Sequence, residues 1–276
     1  TVEENTPTDV EVSLDPELLG QVFENLLATY NPETHASARK STGSFYTPRK
    51  IVEYMVNESL IEYLNTQVDA EKEDTWRTLI GYDDAPFELS EPERKLVLEK
   101  ILNCKVLDPA CGSGAFPMGM LQQMVHIVRK IDPTNEMWRE LVLERTQEEI
   151  SELLQKSINS KDGSKELEER RQEVLKAFDN SIDNPDYTRK LYIIQNCIYG
   201  SDIQPIAMLI SKLRFFISLI CEQDTSKLDF DDSAHNYGID TLPNLETKFV
   251  AADSLANAKV REFEDEGWFI DKNLVQ

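Results

Sequence analysis

Apolar residues recur at helical spacing from the start of the chain. Leu18, Leu19, Val22, Phe23, Leu26 and Leu27 continue to about Tyr30, and Asp15-Pro16 ahead of them predicts a helix start. A polar loop follows, after which Thr47-Pro48 repeats the cap-plus-proline signal and KIVEYMVNESLIEYL predicts an amphipathic helix. Residues 66–100 are charged and mixed, with a helix expected at 91–102 after Ser90. KVLDP (105–109) predicts a short buried strand, and Phe116, Met120, Met124, Ile127 and Ile131 give the next helix its apolar stripe. From Glu140 to Phe178 the text is charged and helical, broken at Asp162-Gly163, which predicts a helical hairpin. CIYGSDI (197–203) predicts a second strand. Pro205 then opens a helix with Ile206, Leu209, Ile210, Leu213, Phe216, Ile217 and Ile220 on its packed side, and KFVAA (248–252) predicts a third strand.

Strands alternating with helices indicate an α/β fold, a parallel sheet with covered faces. With about three strands, the sheet is expected to be partial. The expected organisation is a frayed lead-in over 1–14, a helical region over 15–103, and an α/β subdomain over 104–276 with an inserted helical segment at 134–180.

Charge narrows the functional classes. The 276 residues carry 51 acidic and 29 basic side chains, a formal charge of −22. A free-standing DNA-binding module is normally basic, because it must neutralise phosphates. Contact with nucleic acid is therefore expected only through a local basic patch or through parts outside this chain. No apolar run approaches the ~20 residues of a membrane span. The first residue is Thr1 and the lead-in is polar, so a piece of a longer cytosolic protein is expected. Cys104, Cys111, Cys197 and Cys221 are scattered without a CxxC, as are His35, His126 and His235, so no metal site is expected and the thiols are read as reduced.

The densest chemistry lies in LDPACGSGAF (107–116). Ligands of open α/β sheets bind beyond the carboxyl ends of the strands. Gly112 and Gly114 can adopt backbone angles barred to other residues, and without Cβ atoms they let a ligand lie against the main chain. A phosphate-binding P-loop requires Gly-Lys-Ser/Thr, and no lysine is present. A dinucleotide fingerprint wants a third glycine where Pro117 stands. What remains is a cofactor whose charged group is an amino acid, with Asp108 facing its amine. S-adenosylmethionine fits. Asp202, at the end of the second strand, is placed to accept from both ribose hydroxyls, or to cap the Pro205 helix, or both. Asp253, at the end of the third strand, is placed to accept from the adenine amine, although an Asp-Ser pair also suits a plain turn.

GSFYTPRKIVEYMV, VLDPACGSGAF, IYGSDIQPIAMLISKLRFF and LPNLETKFVAADSL, in this order, resemble the N6-adenine DNA methyltransferase domain of large bacterial restriction–modification enzymes, type IIG enzymes above all. The similarity covers roughly residues 15–260, the inserted helices excepted. The resemblance implies a Rossmann-like S-adenosylmethionine-dependent methyltransferase fold. It implies that Tyr46, Thr47 and Pro48 close over the methionine end of the cofactor, and that Asp108, Pro109, Ala110, Cys111, Gly112 and Gly114 cradle its amino-acid moiety. Asp202 and Ile203 are implied at the ribose and adenine, and Asp253 and Ser254 at the adenine ring. Implied partners are double-stranded DNA, contacted mostly by parts outside this chain, and the remaining domains of the same polypeptide, in the bacterial cytoplasm.

The chain departs from the family pattern in one respect. The catalytic Asn-Pro-Pro-Tyr/Phe motif is absent, and is expected beyond Gln276. NPDY (184–187) is not read as its substitute, because it lies between the first and second strands and has Asp186 in place of the second proline; a turn leading into a helix is expected there. Two alternatives stay open: a related methyltransferase acting on RNA or protein, and a non-catalytic acidic scaffold docking a partner through the helical hairpin.

Overall fold

The computed structural model describes residues 47–83, 85–142, 184–223 and 243–255, with Val22, Glu144 and Tyr237 besides. The lead-in, the predicted helix over 15–30 other than Val22, Tyr46, and the predicted hairpin beyond Val142 other than Glu144 lie outside the described residues. In chain order the elements are α1 (Arg49–Gln67), a 3₁₀ turn (Ala70–Lys72), α2 (Glu73–Ile80), α3 (Glu91–Asn103), β1 (Val106–Asp108), α4 (Ala115–Ile131), α5 (Pro185–Asn196), β2 (Ile198–Asp202), α6 (Pro205–Ile220) and β3 (Phe249–Ala251). The strands form one parallel sheet in the order β1-β2-β3, with Asp108 beside Gly200 and Asp202 beside Ala251. This is an α/β arrangement.

The helix starts show how local signals were used. At α3 a capping box forms: the Ser90 side chain accepts from the Glu93 N–H, and the Glu93 carboxylate reaches back to accept from the Ser90 N–H (2.7 Å) and also from the Ser90 hydroxyl (2.6 Å). At α1 the expectation needs correction. Pro48, not Thr47, is the capping residue; at ψ 140° it is still extended, no side chain caps the helix, and the Pro48 carbonyl accepts from the N–H groups of Ile51 and Val52. Proline fixes φ but leaves ψ open, so the helical dihedrals begin one residue later. NPDY does lead into a helix. Asn184 Oδ1 accepts from the Tyr187 N–H (3.1 Å) as the N-cap of α5, and the Tyr187 side chain is buried.

α4 is the central helix, so its predicted stripe is too narrow. Met124, Ile127 and Ile131 are buried as expected, but so are Met118, Leu121, Val125 and Val128, while Phe116 and Met120 are only partly covered. α4 meets α1, α2 and α3 as well as α5 and the strands β1 and β2. Gly119 allows the close approach of α1: a Cβ there would stand 2.9 Å from Val52 Cγ1 and 3.2 Å from Val56 Cγ2.

Two further expectations are reversed. β1 is not a buried strand, since Leu107 is 66% exposed. Ile198, Gly200 and Phe249 are buried, whereas Leu107, Tyr199, Ser201 and Val250 alternate with them on the other face and are half-buried or exposed. α6 lies on the Phe249 face, with the Phe215 and Phe249 ring centroids 4.7 Å apart. Among the described residues, therefore, one face of the sheet is covered rather than both. The second reversal is in α6 itself. It buries Ala207, Met208, Ile210, Ser211, Arg214, Phe215, Ser218 and Leu219, and exposes Ile206, Leu209, Leu213 and Ile220 from the predicted packed side. All four polar residues of PIAMLISKLRFFISLI (Ser211, Lys212, Arg214 and Ser218) are buried, so the side that periodicity alone selects for packing is the one that the fold turns outward. The small Ser211 permits close packing where the helix meets the glycine turn.

Candidate functional site

The site is built on the tips of three parallel strands. β1 ends at Asp108, and the chain then turns through Pro109–Gly114 into α4. Gly112 and Gly114 both have positive φ, 54° and 84°. A side chain at Gly114 is barred twice, because a Cβ there would also lie 2.6 Å from Ser211 Oγ. The turn is tied to β2 at two points: the Cys111 N–H donates to the Ser201 carbonyl (3.0 Å), and the Gly112 N–H donates to Asp202 Oδ2 (3.0 Å). Within the turn the Gly114 N–H donates to the Cys111 carbonyl (2.8 Å).

Asp108 carries the local electrostatics. Its Oδ1 accepts from the Ala110 N–H (3.1 Å), but Oδ2 is buried with no hydrogen-bond partner. Burial pushes its carboxyl above the usual range; the Ala110 N–H opposes this, and the charge of Asp202 adds to it. An unpaired buried carboxylate oxygen near a second acid is costly without a cation. Such a group is suited to receive an ammonium or similar positive centre. Cys111 is a different case. Its thiol is buried and pushed up to about 12, mainly by burial, which makes it an inert packing group. It sits against β2 where only a glycine fits, since a Cβ on Gly200 would stand 2.7 Å from Cys111 Sγ.

Asp202 has two structural partners, accepting from Gly112 through Oδ2 and from the Gln204 N–H through Oδ1 (2.9 Å). It thus closes the glycine turn and shapes the entry to α6 at once. Each carboxylate oxygen can still accept a further bond. Ile203 beside it is 65% exposed. At the third tip, Asp253 accepts from the Leu255 N–H (2.9 Å) and is exposed. The Ser254 hydroxyl donates to the Pro109 carbonyl (2.6 Å) and lies 2.7 Å from Ser201 Oγ, so it binds the tips of β1, β2 and β3 together.

Thr47 stands apart from this network. It lines a cleft of about 240 Å³ between α1 and α4, with Arg49, Glu53, Asn57, Tyr82 and Arg214 among the other walls. The cleft reaches Ala115 at the end of the glycine turn, but none of Asp108, Asp202 and Asp253 lines it. The structure thus gathers Asp108, Pro109, Ala110, Cys111, Gly112, Gly114, Asp202, Ile203, Asp253 and Ser254 at the strand tips. It leaves Thr47 and Pro48 at the head of α1, and Tyr46 lies outside the described residues. No group of His, Cys, Asp and Glu among the described residues is arranged to hold a metal ion.

Three residues at the turn escaped sequence reasoning: Ser201, Ser211 and Arg214. The Ser211 hydroxyl donates to the Gly112 carbonyl (3.1 Å), and Arg214 Nη1 donates to the Ser113 carbonyl (2.8 Å). For the last two, the available signal was a serine and an arginine three positions apart in a mainly apolar helix whose other polar residues are Lys212 and Ser218.

Over 275 residues, 96% of its length, the chain is 26% identical to a protein of Methanocaldococcus jannaschii named "putative type II restriction enzyme and methyltransferase". The chain spans 18% of that protein's length. No family model matches the chain, and no solved structure matches it.

Proposed function

We propose that this chain carries the cofactor-binding part of a restriction–modification methyltransferase, which holds S-adenosylmethionine for methylation of N6 of adenine in DNA. The relative's name supports the general class. The observation that carries the proposal is the buried, unpartnered Oδ2 of Asp108 beside a turn of two positive-φ glycines. It is an acceptor in need of a cation, next to bare main chain that admits an amino-acid moiety.

The residues present fit the cofactor. Asp108 would accept from its ammonium, Gly112 and Gly114 would admit its amino-acid backbone, and Asp202 would accept from its ribose hydroxyls. Ile203 would pack on the adenine, and Asp253 would accept from the adenine amine. Ser254, whose hydroxyl is committed to Pro109, would hold the third tip in place. Thr47 and Pro48 would close the methionine end from the head of α1, and Tyr46, outside the described residues, is assigned the same role by the sequence resemblance alone. When bound, S-adenosylmethionine supplies an electrophilic methyl on a sulfonium. In this proposal the residues over 104–255 capture and orient the cofactor, the helical region before them closes over it, and other parts of the longer enzyme bind DNA.

The test is calorimetric titration of the full chain with S-adenosylmethionine. Wild type is expected to bind saturably. Asp202→Ala is expected to weaken binding about tenfold or more, because a charge-assisted hydrogen bond is worth ~1.5–3 kcal/mol and each 1.4 kcal/mol is a factor of ten. A folded wild-type chain with no binding at millimolar ligand would overturn the proposal.

A further inference from the structure

A turn that offers its main chain to a ligand must direct its carbonyls elsewhere, and each buried carbonyl needs a donor. In the glycine turn the Cys111 carbonyl accepts from Gly114 N–H, and the Gly114 carbonyl accepts from Met118 N–H (3.0 Å) in the first turn of α4. The Gly112 and Ser113 carbonyls accept instead from α6, a segment distant in sequence. Ser211 Oγ donates to the first (3.1 Å), and Arg214 Nη1 to the second (2.8 Å), with Ser113 Oγ 3.4 Å from the same nitrogen. Ser211 is fully buried and Arg214 is 4% exposed. Residues three apart on a helix share a face, so one face of α6 presents two donors to two successive carbonyls.

We infer that Ser211 and Arg214 are positioning residues for the cofactor turn: they draw its two central carbonyls into α6 and hold the positive-φ conformation before the ligand arrives. This rests on the proposed cofactor role of the turn and adds to it a clamp that touches no ligand. A guanidinium is costly to bury, and its use here suits the donor, whose planar fork loses little freedom on bonding. Arg214 also lines the cleft that contains Thr47, so the clamp links that cleft to the glycine turn. Gly114 reflects the same contact from the opposite side, because a Cβ there would strike Ser211 Oγ. The benefit to binding is preorganisation: a turn already ordered has less freedom to lose on ligand capture.

The test uses the full chain as wild type, Ser211→Ala, Arg214→Lys, Arg214→Met and, as a control on the exposed side of the same helix, Leu209→Ala. Two quantities are read: S-adenosylmethionine affinity by equilibrium dialysis, and amide hydrogen exchange at Gly112–Gly114 in the absence of ligand. Losing one neutral hydrogen bond, worth ~0.5–1.5 kcal/mol, predicts a Kd rise of about 3- to 10-fold for Ser211→Ala. Arg214→Met is expected to raise Kd by more than about tenfold, since a charge-assisted bond is lost, with Arg214→Lys in between. Exchange at the turn should accelerate in the same order, and Leu209→Ala should resemble wild type in both readouts. If Arg214→Met does not fold, Ser211→Ala and Arg214→Lys carry the comparison. If Ser211→Ala and Arg214→Lys leave both Kd and turn exchange at wild-type values, the clamp is refuted. A wild-type chain that binds no cofactor would overturn the proposed function alone; the clamp then stands or falls on exchange at Gly112–Gly114.

Discussion

Gly114→Ala tests the architecture of the turn most directly. At φ +84° and ψ 32° the residue is left-handed, which costs an alanine roughly 1–2 kcal/mol. The new Cβ would also lie 2.6 Å from Ser211 Oγ and 3.3 Å from Ser211 Cβ. Ser211 is fully buried in the middle of α6, so it has little room to withdraw. Overpacking of this kind costs typically ~1–3 kcal/mol. The expected destabilisation is therefore about 2–5 kcal/mol. The two contributions can be separated. Ser211→Ala removes the 2.6 Å contact but leaves the 3.3 Å one, and it costs the hydrogen bond to the Gly112 carbonyl. In the double variant most of the overpacking disappears while the backbone strain persists. Equilibrium urea unfolding of all four proteins should give a double variant about 1 kcal/mol or more better than the sum of the singles. Additivity within ~0.5 kcal/mol would show that the steric reasoning is wrong, as would a cost below about 1 kcal/mol for Gly114→Ala alone.

Asp108 predicts a trade between stability and binding. Its folded-state pKa is raised, so the favourable contribution is complete at low pH and is lost as pH rises through the folded value. Without ligand, Asp108→Asn should stabilise the chain at neutral pH by up to ~1 kcal/mol, allowing for partial solvent exposure, while weakening S-adenosylmethionine binding. Thermal melts across pH should show the advantage vanishing on acidification; an advantage constant with pH would contradict the assignment. Arg189 is 2% exposed and donates to the Asp132 carbonyl (2.6 Å), the Pro133 carbonyl (2.8 Å) and Asp186 Oδ1 (2.6 Å), joining the end of α4 to α5. Arg189→Met should cost ~2–4 kcal/mol in urea unfolding and leave cofactor affinity unchanged under folding conditions; a selective loss of affinity would refute a purely structural role. Asn184→Ala should lose ~1 kcal/mol as a helix cap without affecting S-adenosylmethionine affinity under folding conditions, and abolished binding by a stably folded variant would contradict a purely structural role for NPDY.

What could be read from the residues was whatever chemistry is local. The Ser90–Glu93 pairing, the helix after NPDY, the strands ending at Asp108 and Asp202, and the two glycines in LDPACGSGAF depend on neighbours within a few positions. Turns and caps are of this kind: a short stretch supplies both donor and acceptor. Thr47 is a partial failure at the same level, because the helix began one residue after a proline whose ψ the sequence left open.

Tertiary structure decided the questions of facing. The pattern of α6 points its more apolar side toward the core, yet the sheet and the glycine turn selected the side carrying Ser211 and Arg214, whose donors meet the carbonyls of the turn. Leu107 reads as a core residue, yet strand alternation puts it on the face opposite α6. Asp202 shows both levels in one side chain. Its place at a strand tip follows from the sequence, whereas its bond to Gly112, 90 positions away, exists only because two parallel strands lie side by side. Local propensity sets the elements, but the partner of a buried polar group is chosen by whatever the fold brings within about 3 Å of it.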